Sequence, residues 1–70
     1  MNIADRIAEV ADAVELPFHL TEALMAEIAK KTMNRCNGES VGYIFANSPL
    51  DDFVKPIRHI AKALREVGLA

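Results

Sequence analysis

Three side chains could supply chemistry at a single centre: Cys36, His19 and His59. A thiolate beside an imidazole makes a nucleophile, and the same donors hold zinc when they recur at short helical spacings. Here no two of them have that spacing, and His59 stands among Lys55, Arg58 and Lys62, whose charge disfavours a bound cation. Cys36, at the end of an apolar line, therefore reads as a small core residue, His19 as a surface or capping residue and His59 as part of a solvated face. Asp51 and Asp52 form a pair of carboxylates, but sequence neighbours point ~100° apart on a helix, so they read as helix-start charges and not as an acid and a base. There is no glycine-rich phosphate loop. The expectation is a protein without catalytic, cofactor-binding or metal-ligating residues, and not an enzyme.

The richer pattern is recognition. Lys55, Arg58, Lys62 and Arg65 fall on one face of the segment 48–67, opposite an apolar face of Leu50, Phe53, Val54, Ile57, Ile60, Ala61, Leu64 and Val67. A charged helix face is ordinarily solvated or paired internally. Its functional reading is a docking surface for an acidic partner protein, with phosphate contact to nucleic acid or an anionic membrane surface as lesser alternatives. Tyr43 and Phe45, with Ile44 and Phe18, are the bulky residues able to decide an interface, and equally able to fill a core. The expected partner-binding set is Lys55, Arg58, Lys62, Arg65, Tyr43 and Phe45.

The charge distribution bears on that reading. Residues 1–28 hold six acids and one base, whereas residues 55–70 hold four bases and one acid. The basic segment can thus lie near the acidic one, within the chain or across a dimer. This acidity also weakens a helix-turn-helix reading of residues 6–28. Glu15 stands where the turn glycine belongs, and the reading helix would present Glu22 and Glu27 to phosphates, with no base before Lys30.

The elements that must position these residues are helices. Ile3, Ile7, Val10 and Val14 form a narrow seam bordered by Ala4, Ala8 and Ala11, with Asp5, Arg6, Glu9 and Asp12 pointing away, which predicts a first helix at about 3–15. Leu16-Pro17 ends it, because the residue before a proline is pushed out of helical geometry. A second helix is predicted at about 18–35, with Leu20, Leu24 and Ile28 on one line and Met25, Ala29, Met33 and Cys36 on the next, stopping at Asn37-Gly38. Residues 40–46 read as a short helix or turn capped by Ser40. The rival reading is a lone strand with Val41, Tyr43 and Phe45 on one side, whose mate would be the same strand of a second subunit. A final helix is predicted at 49–67, with a capping box from Ser48 to Asp51, Pro49 in its first turn, and a kink or restart at Pro56.

At 70 residues the chain has room for one domain and buries only about 60% of the surface it exposes when unfolded, so an added source of stability is expected. One cysteine excludes an internal disulfide, which leaves association. No segment approaches the roughly 20 apolar residues of a membrane span, and Asp5 and Glu9 interrupt any signal-peptide core, so a cytoplasmic location is expected. These features predict an all-α bundle over 1–70, of three main helices and a short helix or turn at 40–46, homodimeric, acting as a small protein-binding or regulatory module on a partner's surface. Free-standing chains of this size are often accessory regulators of bacteria, phages or plasmids. The alternatives are a helix-turn-helix DNA-binding regulator and a structural assembly subunit.

Overall fold

The computed structural model describes residues 2–33 and 41–69, and all its regular elements are helices: α1 (Ile3–Val14), α2 (Phe18–Met33), α3 (Val41–Asn47) and α4 (Asp51–Glu66). The expected stop at Asn37-Gly38, the cap at Ser40 and the placement of Cys36 lie outside the described residues.

α1 opens on Asn2, whose side-chain oxygen accepts from the amide of Ala4 at 2.9 Å. A short polar residue before the first apolar one is the usual way to satisfy an orphan amide. The helix ends at Glu15, which takes a left-handed conformation at φ 56° and ψ 47°. The Glu15 and Leu16 amides both turn back to the Ala11 carbonyl, and Leu16 drops into the core. Pro17 explains the position of the stop, because Leu16 cannot stay helical in front of it. Ile7, Val10, Ala11 and Val14 are buried as the seam requires, but Ile3 remains 40% exposed, since no described neighbour reaches past the first turn to cover it.

On α2 the buried line is Thr21, Met25 and Ala29, while Leu20, Leu24 and Ile28 are only partly covered. Thr21 is the one polar residue of that line. It is fully buried because its hydroxyl donates to the Pro17 carbonyl at 3.0 Å, one turn back, so no hydrogen-bonding capacity is stranded.

The segment 41–47 is a helix and not a strand. Ile44 and Phe45 are both buried while Tyr43 is exposed, and neighbours can share a side in a helix but not in a strand. Phe45 meets Phe53 of α4 edge to face, with ring centres 5.7 Å apart at 75°. This pair joins α3 to the start of α4 and closes one end of the core.

Two features of α4 differ from expectation. The capping box at Ser48 does not form: the residue before the helix is Leu50, in helical geometry, with no side-chain cap. The first amides are satisfied otherwise, because Asp52 and Phe53 donate to the carbonyls of Pro49 and Leu50, each three residues back, in a tight opening turn. The Ser48 carbonyl, meanwhile, accepts from the Arg6 guanidinium. Nor does the helix restart at Pro56: it runs as one element from Asp51 to Glu66 with the proline inside it. Asp52, whose carbonyl loses its partner to the proline, lies with Pro56 on the exposed side, where water can replace the missing donor.

α4 ends on local bonds alone. Gly68 takes φ 77°, the Leu69 amide donates to the Leu64 carbonyl at 2.8 Å, and the Gly68 amide donates to the Arg65 carbonyl at 3.1 Å. This is the glycine-terminated hairpin of bonds that satisfies the last carbonyls of many helices.

Candidate functional surface on α4

α1 and α4 lie side by side and run in the same direction. Arg6, near the start of α1, reaches Ser48 just ahead of α4, and Arg65, near the end of α4, reaches the end of α1. This arrangement divides the expected basic stripe into two unlike halves.

The arginines are turned inward to backbone. Arg65 donates from Nη2 to the carbonyls of Val14 at 2.9 Å and Glu15 at 2.6 Å, and Arg58 donates to the Ala13 carbonyl at 3.3 Å. These are the carbonyls that α1 leaves without helical partners, at the negative end of its dipole. The internal use of the stripe is therefore with the end of α1, through its main chain, and not with the carboxylates of α1. A guanidinium suits the task because one nitrogen face can serve two oxygens while the charge stays near solvent. Arg6, expected to point away from the bundle, plays the matching part at the end of α3 by bonding Ser48.

The lysines remain outside. Lys55 and Lys62 are exposed, and no hydrogen bond or ion pair among the described residues engages them; the ion pair present joins Lys30 to Glu27 on α2 at 3.3 Å. His59 is exposed between them, and His19 lies at the surface with its ring edge-on to Phe18. No three His, Cys, Asp or Glu side chains among the described residues are grouped as a metal site, and no cavity opens among them. Asp51 and Asp52 are both exposed in the first turn of α4.

The aromatic half of the expected set also divides. Tyr43 is 52% exposed. Phe45 is 4% exposed and packs edge to face on Phe53, so it lies in the core.

A further exposed surface lies at the edge of the apolar face of α4. Ile60 is 36% exposed and Val67 is 69% exposed; with exposed Pro56 and Ala63 they recur at four, three and four residues along one flank of α4. The flank is on the far side of the helix from the arginine edge. Sequence periodicity placed Ile60 and Val67 on the apolar face correctly, but that face is wider than the strip that α1 and α2 can cover. The signal that could have separated them is width: Phe53, Val54, Ile57, Ala61 and Leu64 already fill the ~100° a helix buries against a small bundle.

No family model, curated protein or solved structure matches the chain. Function is thus argued from this surface alone. No helix among the described residues is long and apolar enough to cross a membrane.

Proposed function

We propose that the protein is a small binding module that acts by occupying the surface of a partner protein, with α4 as its contact helix. The observation that carries this reading is the exposed apolar flank Pro56, Ile60, Ala63 and Val67, at the spacing with which one helix packs into another. Lys55 and Lys62, further round the same helix and unengaged, bias the surface toward acidic partners, and exposed Tyr43 on α3 supplies an aromatic contact. Arg58 and Arg65, spent on α1, support the helix and not the contact.

The nucleic-acid alternative has one point in its favour and one against. Glu15 adopts the left-handed turn that a helix-turn-helix ordinarily assigns to glycine, but α2 presents exposed Glu22 and Glu27 where a reading helix presents bases. The test is capture of partners from cell extract, with and without nuclease, by the tagged protein and by an Ile60→Asp, Val67→Asp variant. A stoichiometric protein retained by the first and lost by the second, with helical circular dichroism unchanged, supports the module. Retention of nucleic acid at moderate salt with no such protein overturns it.

A further inference from the structure

α1 and α4 carry opposite charges on the same outer face of the molecule. Lys55 and Lys62 stand three residues before Arg58 and Arg65, which turns them ~60° outward from the edge that faces α1. On α1, Arg6 and Ala13 mark the edge facing α4, and Glu9, three residues after Arg6, is turned outward by the same angle. Asp5 and Asp12 lie just beyond Glu9, at four and three residues from it, and all three acids are exposed. The outer face therefore shows an acidic stripe on one helix beside a basic stripe on the other. No hydrogen bond or ion pair among the described residues joins the two stripes, so neither is consumed within the chain. Two exposed acids bracket the lysines on this side of α4: Asp51, four residues before Lys55, at the start of the helix, and Glu66, four residues after Lys62, level with the end of α1 and past Asp12.

We infer that this face docks onto a second copy of the chain, with α1 of each copy lying on α4 of the other. The inference rests on α4 as a contact helix, but on its lysine side alone. The geometry follows from the shared direction of the two helices. A two-fold axis parallel to them sets Glu9 and Asp12 over the lysines twice, with Asp5 toward Asp51 at the rim, whereas an axis across them sets each helix on its own copy and opposes the three acids of α1 to one another. Electrostatics thus select one of the two symmetric ways of stacking this face. The exposed Ala8 beside the acidic stripe adds no bulk against close approach. The apolar flank of α4 points elsewhere and stays open in the pair.

The decisive experiment mixes two variants, each with one stripe reversed: Glu9→Lys with Asp12→Lys, and Lys55→Glu with Lys62→Glu. Sedimentation equilibrium at low salt should show the wild type as a dimer, its association constant falling at least about tenfold as salt screens the stripes. Each variant alone should be monomeric, because the reversed side chains then face their own sign on the helix they would dock against. Their equimolar mixture should recover a one-to-one heterodimer. Circular dichroism reports whether each variant folds, and if one does not, Lys55→Gln with Lys62→Gln reads the same stripe and should weaken wild-type-like association by itself. A wild type monomeric at low salt, reversed variants that still pair with themselves, or a mixture that does not pair each overturns self-docking. None of these outcomes touches the Ile60 and Val67 capture test, so the two readings fail separately.

Discussion

α1 and α4 both end in a left-handed residue, yet they are held by different means. At the end of α4 the residue is Gly68 at φ 77°, and the bonds come from the next residues in sequence. At the end of α1 the residue is Glu15 at φ 56°, and the exposed carbonyls are met by arginines from the other end of the chain. A side chain in that conformation costs roughly 1–2 kcal/mol, whereas glycine is at ease there. The comparison teaches that one terminus is completed by its own sequence, whereas the other is stopped locally but has its last carbonyls met only when the fold brings Arg58 and Arg65 to them.

That difference can be broken at four points. The largest effect is expected from Arg65→Ala, which strips two carbonyls of a charged donor and should lower stability by about 1–2 kcal/mol by denaturant unfolding, with Arg65→Lys restoring less than half. Next is Gly68→Ala, where open space surrounds the new methyl group and only the backbone angle resists; a loss of about 1 kcal/mol is expected, with the change in amide exchange confined to the last turn of α4. Glu15→Gly should act in the opposite sense and raise stability by about 0.5 kcal/mol, the relief of the left-handed angle being partly offset by the added freedom of glycine in the unfolded chain. Arg58→Ala should be the mildest, about 0.5 kcal/mol or less, because its bond to Ala13 is long and exposed. If Arg65→Ala proved as mild as Arg58→Ala, the end of α1 would be self-sufficient and the contrast with α4 would disappear.

The same contrast explains what could be read from sequence. Three main helices, the stop before Pro17 and the inward line Phe53, Val54, Ile57 and Ala61 follow from spacing and from residue types a few positions apart, whereas spacing left 41–47 open between helix and strand. The basic stripe was legible as a stripe, but its division was not. Arginine and lysine share a charge in the sequence, and only the placement of α1 beside α4 shows which of them meets a carbonyl. Phe45 and Ile60 changed places for a similar reason. Both are large and apolar, and which is covered depends on where α3 settles against Phe53 and on how narrow a strip of α4 the bundle can bury. Ser48 illustrates the reverse error, since a locally sound cap gave way to an opening turn and to a distant guanidinium.

The bond from Arg65 to Val14 closes a loop of 51 residues. A helix is ordinarily completed by its immediate neighbours within a microsecond or so, but the last carbonyls of α1 wait for a side chain made near the other end of the chain. During synthesis from the N-terminus, the end of α1 therefore stays open until α4 has been made, and it is sealed in the same event that seats α4. Every contact of this kind raises the mean sequence separation of native contacts, which slows folding relative to a bundle of local hairpins. The arginine latch thus makes the order of assembly, as well as the finished structure, depend on the arrival of the last helix.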